Sequence, residues 1–340
     1  MEKKNYNASI DIFKYFCAIM IVDSHVRLIN IDKSFLFDLF RFALYFFHCS
    51  FGFYYFKGLR KDPDQALIKN IRRLIVPIIF WSGLYLLLNF YNNVLSGEVE
   101  LIDFIKLQIK SVLVNGTGFH LWFMYSCIFN VLIATFFYKK NHLKTLYYLS
   151  ICLYIVGLLG SYYYPFIGRS VPLFPRIVNH QYYTTLCRLF LHGLPMFVMG
   201  IFISDKEKEC TAIKNGELAF YSLIFFVMSC FEIVFVNRYA DVPTNICSLF
   251  LAMLTFPFFI LLLKNPMPQF ENIARPLKYI STFMYLSHAL FRTVIGSVFM
   301  RLFDIELSPL KTSVLVVLGC TICGYILYRI NNKYLNKVFS

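Results

Sequence analysis

Apolar runs of about 20 residues recur along almost the whole chain, and that repetition most restricts how it can fold. In a bilayer a run of that length has one open-ended solution, a helix, because every backbone N–H and C=O must find its partner inside the segment. Of the 340 residues, 58% are hydrophobic and only 15% charged, where soluble domains carry about 25% charged residues. The mean hydropathy is +0.60. The sequence therefore predicts an all-α, polytopic integral membrane protein. No soluble domain, repeat or linker interrupts it, so residues 1–340 read as a single membrane domain.

Ten spans are expected, at roughly 9–30, 35–56, 74–91, 119–138, 145–164, 184–204, 217–237, 245–263, 279–300 and 311–328. With the first residues inside, twenty Lys and Arg fall on inner segments and seven on outer ones, or eight with Lys311. The inner set includes Lys3, Lys4, Arg72, Arg73, Lys278 and Lys333, and the outer set includes Lys33. That asymmetry predicts both termini in the cytoplasm of a multi-pass plasma (inner) membrane protein. It also accounts for the net charge of +14 without nucleic acid, since no basic stripe interleaved with stacking aromatics occurs. In the connection at roughly 92–118, Ile102, Ile105, Ile109 and Val112 form a helical stripe, with Asp103, Lys106 and Lys110 off it. This predicts a helix lying in the interface or packed on the outer face.

Nine of the ten cysteines fall in expected spans and read as small apolar residues, leaving Cys210 in a loop. The CTIC at Cys320 to Cys323 lacks a second pair, so no metal site is expected. The first residues resemble the basic part of a signal peptide, yet the run that follows is long and has no A-x-A-type site. It is expected to stay as the first span.

The informative feature is where charge enters the spans. The stretch DIFKYFCAIMIVDSH carries Asp11, Lys14, Asp23 and His25, with Arg27 just beyond. Asp38, Arg41, Arg188, Glu232 and Arg292 also fall in or at the edge of spans, with His25, His48, His120, His192 and His288. Intramembrane charge costs about 2.5–3.5 kcal/mol per group and usually faces a cavity or a partner. The set predicts a polar cavity open to the outside and a narrower polar path inward, although single members such as Asp38 and Arg41 could be local ion pairs. Eleven residues separate Lys14 from His25, which returns to within about 20° of the same helix face over about 16 Å. Asp11, Lys14, Ala18, Val22 and His25 thus read as one stripe lining a path.

These residues resemble the membrane acyltransferase 3 family. Asp11, Lys14 and, eleven residues later, His25 are similar to its first-helix Asp-x-x-Arg and following His, with Lys14 standing where the family has arginine. YFFHCSFGF resembles its Phe-rich second helix, though without the family's Ser-Gly pair. IRRLIVP, with Arg72, Arg73 and Pro77, resembles its basic run before the third span, and FHLWFM, with His120 and Trp122, its His-Leu-Trp segment. GLPMFVMGIFI and YISTFMYLSHAL, with His288, are similar to two later segments. VNGTGFHLW also resembles the membrane domain of vancomycin-resistance serine racemases.

The resemblance implies transfer of an acyl group, commonly acetyl from acetyl-CoA, to a hydroxyl of an envelope glycan, wall polymer or small metabolite. Acyl-CoA is then a donor substrate and no cofactor is bound. It makes His25 the general base or a transient acyl carrier, suited by its pKa near neutrality, with Asp11 and Lys14 orienting the inner end. Arg72 and Arg73 are candidates for acyl-CoA phosphates, or else simply the positive flank of a span. His120, Trp122, Arg188 and His288 are candidate substrate-binding residues, with a lipid-interface anchor the alternative for Trp122. No G-x-S-x-G occurs, so a separate envelope acyltransferase is an expected partner if the acceptor needs its own domain. The rival reading is a carrier for a polar solute such as serine, since transporters also line their paths with charge.

Overall fold

The computed structural model describes residues 6–332, apart from 27–34 and the single positions 96, 98, 115, 119, 173, 181, 243 and 245, together with 337–338. Arg27, Lys3, Lys4, Lys33 and Lys333, named above, lie outside the described residues, as do Asn115 and Phe119 of VNGTGFHLW and the side chains of Lys110 and Val112. The described residues form helices and turns without strands.

The helices of six residues or more are α1 (Ala8–Val26), α2 (Phe35–Phe40), α3 (Phe42–Leu59), α4 (Pro63–Asn93), α5 (Leu101–Val114), α6 (Trp122–Lys139) and α7 (Leu143–Leu159). They continue as α8 (Tyr183–Asp205), α9 (Glu207–Ala212), α10 (Asn215–Tyr239), α11 (Leu249–Lys264), α12 (Glu271–Phe303) and α13 (Pro309–Ile330). Seven segments are long and apolar enough to cross a membrane: Phe35–Leu59, α4, α6, α8, α10, Pro268–Phe303 and α13. The shorter apolar α7 and α11 and the charge-bearing α1 fall at the remaining expected spans. The chain is an integral membrane protein.

Local chemistry sets the ends. The Asn7 side chain accepts from Ile10 N–H at 3.1 Å and donates to the Leu262 carbonyl, which caps α1 and ties it to α11. Asp62 accepts from Gln65 N–H ahead of Pro63, a preferred N-cap with proline in the first turn. The π-helical turn Cys187–Gly193 in α8 precedes Pro195, which cannot supply the N–H that the Leu191 carbonyl would accept.

Two packings place the site. α3 and the second half of α8 approach so closely that a Cβ on Gly52 would sit 1.9 Å from the Phe197 carbonyl oxygen, and one on Gly200 1.9 Å from that of Cys49. Small residues at such crossings let membrane helices meet backbone to backbone. α1 packs against α12 and α13 through Ala18, Val22 and Val26 on Ile280, Met284, Val316 and Cys320. Ala18 and Val22 are fully buried there. This corrects the expected continuous path: the middle of the α1 stripe is packed core.

In α5, Phe104 and Gln108 turn inward while Ile102, Ile105 and Ile109 are exposed, so the apolar stripe faces away from the protein, as an interfacial helix requires. All ten cysteines are free thiols, and Cys320 lies 3.5 Å from the Ser287 hydroxyl.

Candidate functional site

A cavity of about 1030 Å³ opens at the end of the bundle that carries α5 and the 304–308 connection. His25 enters its wall from the last turn of α1, His120 from the turn ahead of α6, Trp122 from the start of α6 and Arg188 from the π-turn of α8, and the polar lining also includes Arg41, Tyr285, Arg292 and Glu306. The α1–α12 packing stacks the His25 ring on that of His288, centroids 5.2 Å apart and planes 11° from parallel. His120 meets His288 at 4.7 Å. Three histidines thus form one group, His25 and His120 at the cavity wall and His288 of α12 fully buried behind them.

Their backbone bonds fix tautomers. His120 Nε2 lies 3.2 Å from the Leu286 carbonyl and His288 Nδ1 lies 2.8 Å from that of Tyr285. A carbonyl only accepts, so each of these nitrogens carries its proton. The Tyr285 hydroxyl donates to the His120 carbonyl, and Arg292 donates to that of His25 at 3.0 Å. Trp122 is buried beneath the Arg188 guanidinium, 5.1 Å from its ring centroid, so it serves the cavity wall rather than a lipid interface.

The remaining sequence candidates lie elsewhere. Asp11 accepts from Tyr6 at 2.8 Å, and its other oxygen faces Lys14 at 3.4 Å. Lys278 approaches Asp11 at 3.9 Å, and Lys14 sits over the Tyr54 ring at 5.0 Å. Burial, and then the Asp11 carboxylate, push the Tyr6 phenol above its usual pKa and keep it a donor. Arg73 lies within electrostatic range of Asp11 and Lys14. Arg72 and Arg73 are both exposed on α4, away from the cavity lining.

Not every intramembrane charge serves the cavity. Glu232 accepts from Tyr163, Ser248 and the N–H groups of Leu249 and Phe250, capping the first turn of α11. Asp38 pairs with Arg41 at 3.6 Å and accepts from Asn237 at 2.9 Å. Asp23 accepts from Ser313 at 3.1 Å. Below Trp122, one turn along α6, Ser126 meets His48 Nε2 at 3.2 Å, and His48 Nδ1 donates to the Leu44 carbonyl at 3.0 Å. His192 is fully buried against Tyr45 and His48. The position of His48 and His192 within spans was the only sequence signal for this second polar layer. Among the described residues no group of three His, Cys, Asp or Glu is arranged to hold a metal ion.

A family model described as an acyltransferase domain matches residues 7–329. The chain belongs to this membrane acyltransferase 3 family. The match runs from the residue ahead of α1 into the last turn of α13. Among curated proteins, the chain is 26% identical over 328 residues to an amino-acid racemase of Enterococcus faecalis, covering 94% of this chain and 45% of the relative. It is 24% identical over 340 residues to a serine/alanine racemase of Enterococcus gallinarum, covering 96% and 46%. The chain spans less than half the length of these relatives. No solved structure matches it.

Proposed function

We propose that this acyltransferase-family chain is a ten-span plasma-membrane O-acyltransferase, with both termini cytoplasmic. An acyl group, acetyl in the simplest case, passes from cytoplasmic acyl-CoA to a hydroxyl of an envelope glycan, wall polymer or small metabolite held in the cavity. The observation that carries this reading is the His25–His288–His120 group at the wall of a polar cavity. The acceptor hydroxyl attacks the thioester carbonyl as His25 takes its proton. The tetrahedral oxyanion draws on the N–H donors that line the cavity. Collapse expels the thiolate, which takes the proton from His25 and leaves as CoA. The inner cluster of Lys14, Lys278 and Arg73 around Asp11 supplies the positive charge that suits acyl-CoA phosphates, and Arg73 fits that role better than Arg72.

The racemase names of the relatives favour one second reading, a carrier for an amino acid such as serine without acyl chemistry. One experiment separates the two. Purified protein in lipid is given radiolabelled acetyl-CoA, with and without a crude envelope acceptor, and CoA release and label transfer are measured for the wild type and His25→Ala. The expected result is turnover in the wild type and a loss of at least about 100-fold in the variant. No turnover in either, together with serine uptake into vesicles, would establish the carrier.

A further inference from the structure

The charge balance of the cavity is uneven. Among the described lining residues, three are guanidinium groups, Arg41, Arg188 and Arg292, and one is a carboxylate, Glu306. Asp38 answers Arg41 from behind. Neither Arg188 nor Arg292 takes part in an ion pair among the described residues: Arg188 lies over the Trp122 ring and Arg292 donates to a carbonyl. Both cations sit on the rim of a membrane bundle, where charge without a counter-charge is costly. Both also bracket His25, one across the cavity wall from it and the other bonded to its own carbonyl. A guanidinium fork matches the two oxygens of an acid group better than it matches neutral hydroxyls.

Resting on the acyltransferase reading for the reaction itself, we infer that the acceptor is an anion: a hydroxyl-bearing acid whose carboxylate or phosphate is held by Arg188 and Arg292, with its hydroxyl beside His25. At about 1030 Å³, the upper end of the usual range of ligand pockets, the cavity readily holds a small sugar acid. The acid group supplies Arg188 and Arg292 with a counter-charge that no described residue gives them, and sets the position of the alcohol. A neutral alcohol of the same size lacks that anchor.

The test reads binding without turnover. Thermal protection of the detergent-purified full chain is measured against two matched pairs, glucuronate with glucose and glycerol 3-phosphate with glycerol, and against CoA. At least one acid is expected to protect the wild type while its neutral counterpart does not, and the pair that responds tells carboxylate from phosphate. Arg188→Gln and Arg292→Gln are each expected to weaken that protection by about tenfold to a hundredfold, the worth of a charged hydrogen bond. Arg188→Lys is expected to lose less. Arg292 is exposed at the mouth, so its variant reports even where an Arg188 substitution fails to fold.

Equal protection by acid and alcohol overturns the inference, as does none from either acid up to about 10 mM, well into the weak-binding range. Loss of CoA protection in Arg188→Gln, with the acids indifferent, also overturns it by assigning the arginine to the donor. Acid binding that depends on these arginines, beside a failed His25 turnover assay, keeps the anion site and removes the acyl chemistry. Turnover on neutral acceptors alone does the reverse.

Discussion

The two ends of α1 handle charge in opposite ways. In the first turn, a single buried carboxylate, Asp11, is shared by Tyr6, Lys14 and Lys278, so every member has a partner of opposite sign or a hydrogen bond. In the last turn, His25 stacks on another histidine and shares its cavity with Arg188 and Arg292, neither of which is ion-paired among the described residues. Compensated charge holds an element in place. Uncompensated charge around an open volume waits for something else to balance it. The contrast separates Asp11, whose first duty is to organise the inner end, from His25, whose surroundings suit chemistry.

That separation can be broken most forcefully at Asp11. Asp11→Asn leaves the largely buried Lys14 beside a neutral amide, and breaking a buried pair in this way costs about 3 kcal/mol or more. Chemical unfolding in mixed micelles should show that loss, whereas His25→Gln should unfold within about 1 kcal/mol of the wild type while losing turnover. A stable Asp11→Asn protein would remove the structural role assigned here.

A smaller effect distinguishes neighbours on α4. Arg73→Ala is expected to raise the KM for acyl-CoA about tenfold, roughly one charged contact, and Arg72→Ala to change it less than about twofold. Equal effects would mean that the pair acts only as a basic flank. The smallest change expected is in Lys14→Arg, which keeps the charge and adds a planar fork. Steady-state assays should show activity equal to the wild type or up to about threefold higher, and complete loss would give Lys14 a role that depends on its compact ammonium.

Much of this arrangement was legible in the chain because it is local. Apolar length marked the helical segments, and the eleven-residue spacing put Lys14 and His25 on one face. The fate of each charge was not local. Glu232 looked like a cavity residue until the fold brought the first turn of α11 onto it. The approach of His120 to His288 depends on α6 and α12 meeting, which no spacing encodes. The wide turn at Cys187–Gly193 follows from Pro195, which withholds one N–H from the helix. Ala18 read as part of a stripe lining a path, but it is fully buried in one cluster with Met284 and Cys320.

The packed middle of α1 has an electrical consequence. A water-filled passage between the two polar ends would conduct ions and drain the gradients that the cell maintains. With Ala18 and Val22 closed against α12 and α13, the bilayer stays insulated at rest. Under the proposed reaction, a group handed between the two polar ends along this face has to part those side chains, and a thin apolar-flanked chain opens less of a gap there than a hydrated ion does.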